Sequence, residues 1–381
     1  GQGEPSRVIS SESQHEFVSV SPKGDRIIYI STKETGRIFS CDVQTRQEVG
    51  ITSDSTLNRW PESSFDGKKF LFGSVDANIV SLNEAISIQA GVGNEQARLW
   101  KIPGFDAKWS PKTEQLAFLR DNPNPTGLEL RIFDPKDGSD QLLASGLDHG
   151  GFTRLPYHRR GTNYNWSPGG GQIAYSPSQD THSNIYMIST DTAARDAKVV
   201  SANKDATLRA TSPFFSPLGD RIAYLLEPKF TSANKSQWSV WVTGIPMPVF
   251  SSDTGLRLIG WADSGKEIYL AQRNPQTRFL TTEEVRFLKV AVDSGKQTQI
   301  LRFPSVYLHS VRLSNDGKSF VFVSRKDGKD NVYEVTGIGN TRKITANNDS
   351  ELYISGLSWS PDRKRLFFSK QVGRSEIWQI Q

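Results

Sequence analysis

The chain has 381 residues, 36% of them hydrophobic, 23% charged and 10% aromatic. No apolar run approaches the roughly 18 residues that cross a bilayer as a helix, so no membrane span is expected within it. The net charge of +5 is spread along the chain, whereas nucleic-acid binders concentrate basic residues in a stripe, so nucleic acid is not an expected partner. The one cysteine, Cys41, excludes an internal disulfide framework.

In chain order, one phrase keeps returning. It reads SPKGDRIIYIS from Ser21, SFDGKKFLFGS from Ser64, SPKTEQLAFLR from Ser110 and SPGGGQIAYS from Ser167. It continues as SPLGDRIAYLL from Ser216, ADSGKEIYLAQ from Ala262, SNDGKSFVFVS from Ser314 and SPDRKRLFFSK from Ser360. Spacings of 43 to 57 residues suit a unit of four short strands with turns. Within each phrase, Pro presets the turn and Gly supplies a positive φ. Thr113-Glu114 and Asp362-Arg363 stand where Gly is expected, which predicts another turn form there.

The strand after each turn is apolar almost without alternation, as in RIAYL and SFVFV, the pattern of strands covered on both faces. A third strand per unit alternates more, as in GRIFSCDV, LELRIFDP, NVYEVTG and EIWQIQ. TEEVRFLKV (282–290) is the nearest approach to a helix, and its place in the repeat makes it a strand. Radial stacking of such units covers both faces of every inner sheet. The expected fold is therefore all-β: an eight-bladed β-propeller of four-stranded blades, a single domain over 1–381, with seven blades as the alternative. Only EIWQIQ follows the last phrase, while SRVIS (6–10) is surplus at the start. This N-terminal strand is expected to pair onto the last blade and close the ring, removing open sheet edges.

WSP followed by Gly and then QIAYS or RIAYL resembles the WD-like repeat of TolB-like β-propellers, which are related to the propeller of prolyl oligopeptidases. The resemblance covers essentially the whole chain. It implies the fold and, as a class, peptide or protein binding at the channel mouth. TolB proper has six blades and an N-terminal α/β domain, neither of which is read here, so no functional residue is carried over.

Catalytic signatures are absent from the sequence. There is no G-x-S-x-G nucleophile elbow, and GVGNEQ (91–96) lacks the last glycine of a dinucleotide loop. The five histidines show no metal-ligand spacing, so neither metal nor cofactor is expected. What departs from the repeat is the longest interval, GLDHGGFTRLPYHRRGTNYNW (146–166). It gathers His149, Arg154, Tyr157, His158, Arg159, Arg160 and Tyr164, residue types over-represented at binding hot spots. Five residues before the phrases stand Glu16, Arg59, Phe105, Thr162, Thr211, Arg257, His309 and Ser355. Of these, Arg59, Arg257 and His309 make the mouth positive and complete the candidate ligand site. The function read from this is a non-catalytic binding or sensor propeller for a protein, peptide or small anionic ligand, with an acidic partner favoured. The alternative is a propeller hydrolase or lyase with a site on the axis. A monomer in the bacterial periplasm is expected, its leader or anchor lying outside this sequence.

Overall fold

The computed structural model describes residues 14–23, 25–52, 57–75, 84–90, 98–123, 126–147, 163–177, 183–191, 196–229, 237–273 and 283–380. The repeated phrases fold as tight turns held by their serine. The Ser64 hydroxyl donates to Asp66 at 2.6 Å and accepts the Lys69 N–H at 2.9 Å, and Ser314 does the same with Asp316 and Ser319 at 2.7 and 3.0 Å. Gly67, Gly170, Gly219, Gly265 and Gly317 sit at φ between 65° and 77°. At the last phrase the turn keeps this form without glycine, contrary to the sequence reading. Arg363 takes φ 59° and its N–H donates to the Ser360 carbonyl at 3.0 Å, while its guanidinium bonds Asp316 of the preceding phrase. At Thr113 the form does change, and the N–H there donates to the Ser110 hydroxyl instead.

Three strands come first: β1 (Gln14–Val20), β2 (Ile27–Asp42) and β3 (Glu48–Gly50). The first complete unit is β4 (Leu57–Ser63), β5 (Lys69–Val75), β6 (Glu84–Ala90) and β7 (Arg98–Pro103). The second is β8 (Phe105–Trp109), β9 (Leu116–Pro123), β10 (Thr126–Asp134) and β11 (Ser139–Leu147). In the third are β12 (Tyr164–Trp166), β13 (Gln172–Tyr175), β14 (Tyr186–Ser189) and β15 (Lys198–Val199). The fourth holds β16 (Leu208–Phe215), β17 (Ile222–Pro228), β18 (Trp238–Val242) and β19 (Phe250–Ser252). The fifth holds β20 (Leu256–Trp261), β21 (Glu267–Arg273), β22 (Glu283–Ala291) and β23 (Gln297–Val306). The sixth is β24 (Arg312–Leu313), β25 (Phe320–Ser324), β26 (Asn331–Gly337) and β27 (Asn340–Lys343). The last two strands are β28 (Leu352–Trp359) and β29 (Arg365–Ile380). The only helical turns among the described residues are two short 3-10 segments, Leu308–Ser310 and Lys326–Gly328.

The seventh unit is built from both ends of the chain. β28 pairs β29, β29 pairs β2 over its whole length from Asp42↔Arg365 to Ile27↔Ile380, and β3 completes the order. Seven four-stranded units are described, together with a three-stranded set made by β1, the first half of β2 and the second half of β29. The phrase at Ser21 joins β1 to the first half of β2, which has the second half of β29 on its other side, while the second half of β2, GRIFSCD, serves as the third strand behind the first half of β29. The place expected for EIWQIQ is thus filled from the N-terminal part, and β29 runs on beside the first half of β2. SRVIS (6–10) lies outside the described residues.

Seven buried apolar clusters follow the same order, each made by two units that are neighbours in the series. Leu71, Ile88 and Ile102 of the first unit meet Leu116 and Phe118 of the second. The seventh unit meets the first through Ile38 and Phe367 against Phe70 and Phe72. Phe70 and Phe367 pack with ring centroids 4.9 Å apart. The strand after each turn is buried along its length in the fourth and sixth units, as its continuous apolar character requires.

Candidate functional site

The first strands of all seven units line one cavity of about 910 Å³. In every unit the residue two before the phrase lines it: Glu62, Lys108, Asn165, Phe214, Gly260, Arg312 and Ser358. The residue one before contributes Trp109, Trp166, Trp261 and Trp359. Two of these indoles tie neighbouring units together: Trp166 Nε1 donates to the Lys108 carbonyl at 3.1 Å and Trp261 Nε1 to the Phe214 carbonyl at 2.8 Å.

A bulge explains why this position faces the cavity. Pairing skips between Arg59 and Glu62, Phe105 and Lys108, Thr211 and Phe214, and Ser355 and Ser358. Within each skip one residue adopts a left-handed conformation: Trp60 (φ 58°), Asp106 (φ 51°), Ser212 (φ 54°) and Gly356 (φ 65°). An extra residue in one strand re-aims every side chain after it.

Eight ionisable residues line the cavity: Glu62, Asp106, Lys108, Lys112, Arg257, Asp263, Arg312 and Asp316. Glu62 accepts the Trp109 N–H at 2.9 Å, yet burial pushes its carboxyl up to about 7, with Lys108 pulling the other way. Burial likewise lowers Lys108, against the attraction of Asp106 and Glu62; its Nζ donates to the Tyr164 carbonyl at 2.6 Å. Burial and the neighbouring Arg312 lower Arg257 to about 9. Burial also lowers Arg312, whose Nη1 donates to the His309 and Val311 carbonyls at 3.0 and 2.9 Å. Four cations and four carboxylates thus line the cavity, with Asp263 and Asp316 on the turns and Arg257 and Arg312 on the first strands of the fifth and sixth units. No group of His, Cys, Asp or Glu among the described residues could hold a metal ion.

Of the expected site residues, His149, Arg154, Tyr157, His158, Arg159 and Arg160 lie outside the described residues. Arg257 lines the cavity. Arg59 is buried in β4, 4% exposed, and is not among the lining residues. His309 sits in the Leu308–Ser310 turn, its ring 5.7 Å from that of Tyr307. Tyr164 is fully buried between the second and third units, its hydroxyl donating to the carbonyls of Asp106 (2.5 Å) and Ala117 (2.8 Å). Sequence reasoning chose the column five residues before the phrase and missed Glu62, Lys108 and Arg312. The column two before was equally regular, but the bulge that turns it to the axis leaves little sequence trace.

No known protein family matches the chain in sequence. No curated protein matches it in sequence either. Solved structures do match in fold. The β-propeller domain of the Trilobed protease from Pyrococcus furiosus aligns at 13% identity and a TM-score of 0.55, over 88% of this chain and 99% of that one. Oligogalacturonate lyase from Vibrio parahaemolyticus aligns at 12% identity and a TM-score of 0.54, over 94% and 96%. A TolB-type protein from Agrobacterium tumefaciens aligns at 14% identity and a TM-score of 0.49, over 89% and 99%. The chain is all-β and similar in fold to β-propeller domains.

Proposed function

We propose that the chain is a closed seven-bladed propeller that binds an acidic segment of a protein or peptide partner at the axial cavity, without catalysis. The observation that carries this is the cavity wall: every unit contributes to it, and Arg257 stands there with a buried Nε that has no hydrogen-bond partner. An arginine fork matches a carboxylate with two parallel hydrogen bonds. The neighbours in fold include enzymes, and one feature favours a second reading as a hydrolase or lyase. Glu62, pushed up to about 7, stands near Lys108, itself lowered, as acid–base pairs do. An extracytoplasmic setting is the compartment we propose, in keeping with an only thiol, Cys41, that burial pushes up to about 11.

Calorimetric titration with a Glu-rich and a Lys-rich peptide of equal length, at two salt concentrations, tests the binding reading. The acidic peptide should bind, and bind more weakly at high salt. Changing Arg159 and Arg160 together to Ala should weaken it further, if the 146–166 segment overhangs the cavity mouth. Equal affinity for both peptides would overturn the reading.

A further inference from the structure

Most arginines that this fold takes out of water are neutralised. Arg209 pairs with Glu227 at 2.8 Å, Arg273 with Glu283 at 2.7 Å, Arg131 with Asp140 at 2.5 Å and Arg325 with Asp330 at 2.8 Å. Arg257 and Arg312 differ. They stand on the first strands of adjacent units, line the same cavity, and have no carboxylate within 4.0 Å among the described residues. The Nε of Arg257 is buried with no hydrogen-bond partner. Arg312 is held in place through Nη1 by two carbonyls, which fixes the direction of its fork.

Two like charges kept close, half-buried and each lacking a counter-ion among the described residues, are unfavourable for folding alone. Of the carboxylates that line the cavity, Glu62 and Asp106 belong to the first and second units, and Asp263 and Asp316 to the turns of the fifth and sixth. Arg312 feels Glu62 and Asp106 without pairing. What sets Arg257 and Arg312 apart is local: both stand on first strands, and neither is paired with a carboxylate among the described residues.

We propose that Arg257 and Arg312 form a carboxylate-binding subsite inside the axial cavity. It rests on the binding reading above and gives it a point of attachment. The carboxylate comes either from a small free acid or from an acidic side chain of the partner; the chemistry at the guanidinium forks is the same. Lys108 lies close enough to sense both arginines and adds to the attraction.

The test uses the whole chain and three probes: succinate, chloride at matched ionic strength, and an amidated Glu-rich peptide. Trp109, Trp166, Trp261 and Trp359 line the cavity, so their fluorescence reports occupancy. Succinate should raise the melting temperature and change the fluorescence where chloride does not. Arg257→Gln with Arg312→Gln should abolish the succinate response. The double variant should also melt above the ligand-free parent, because a repulsion has been removed. Arg312→Lys keeps the charge but not the fork, and should weaken succinate by about tenfold or more. That variant keeps the question answerable if the double change disturbs folding.

A peptide that competes with succinate assigns the subsite to an acidic side chain; succinate binding alone assigns it to a free acid. Equal responses to succinate and chloride, or a succinate response surviving in the double variant, would overturn the subsite. Undiminished peptide binding in the double variant, with the succinate response lost, would assign the subsite to a free acid and leave the binding reading intact. Peptide that fails to bind a parent that does bind succinate would sink the binding reading alone.

Discussion

At the scale of single residues, Glu62 makes the folded state sensitive to pH. Its carboxyl titrates at about 7 in the folded chain, because burial disfavours the charged form, against 4.5 ordinarily. Between those values the folded chain holds more protons than the unfolded one, so this group's contribution falls as pH rises from about 4.5 to about 7. The difference is at most on the order of 3 kcal/mol, reduced by whatever water enters the cavity. Glu62→Gln keeps an oxygen for the Trp109 N–H and removes the titration. Parent and variant should melt alike at pH 5, and the variant should melt higher at pH 8. Asp106, Lys108 and Arg312 face the same carboxyl in both proteins, so the difference between the two curves isolates Glu62. A gap that does not widen with pH would mean the carboxyl stays ionised throughout.

At the scale of the element, the decisive device is the bulge in the first strand of a unit. It is cheapest where the left-handed residue is glycine, and only Gly356 is one; Trp60, Asp106 and Ser212 adopt the same conformation with a side chain. A Cβ on Gly356 would meet Trp60 N at 2.9 Å and Trp60 Cα at 3.0 Å, both backbone atoms of the first unit. Gly356→Ala should therefore cost about 1–3 kcal/mol, from left-handed strain and this close approach. Ser212→Gly, relieved of strain, should be neutral or stabilising. Urea denaturation of both variants checks the pair, and a Gly356→Ala protein as stable as the parent would remove the bulge from the account. The same device sets how much of the site the sequence revealed. Turns, inner strands and the column structure were legible, since Ser, Pro, Gly and unbroken apolar runs each have a local physical cause. Which column faces the axis was not, because an inserted residue shifts the register without demanding a residue type. Arg257 was found, and Arg312 and Lys108 were passed over.

At the scale of the whole molecule, the proposed closure rests on β2, whose second half the sequence reading gave to the first unit and which pairs with β29 at the other end of the chain. The phrases fixed the period, and the missing outer strands of the last unit showed that the N-terminal part must supply them. The donor could not be read, because SRVIS and GRIFSCD are both short apolar segments; pairing over sixteen residues is a property of two distant strands together. In the structure Ile38, Cys41 and Val43 carry the burial that joins the seventh unit to its neighbours on both sides. Each such side chain contributes about 1.5–3 kcal/mol for the aliphatic ones, against a net stability of only about 5–15 kcal/mol for a typical protein. Deleting residues 1–20 removes β1 and leaves β2 in place, so this form should melt within about 4 °C of the parent. Deleting residues 1–50 takes two strands from the seventh unit, uncovers Phe70, Phe72 and Phe367, and leaves β29 as an open edge that invites aggregation. That form should be insoluble or unfolded, and a synthetic peptide spanning 34–52 should restore soluble, folded protein when added during refolding. Circular dichroism and size-exclusion chromatography of the two deletions decide the matter. If the 1–50 deletion melts like the parent, β2 does not close the ring; if the 1–20 deletion collapses as well, closure rests on the segment before it.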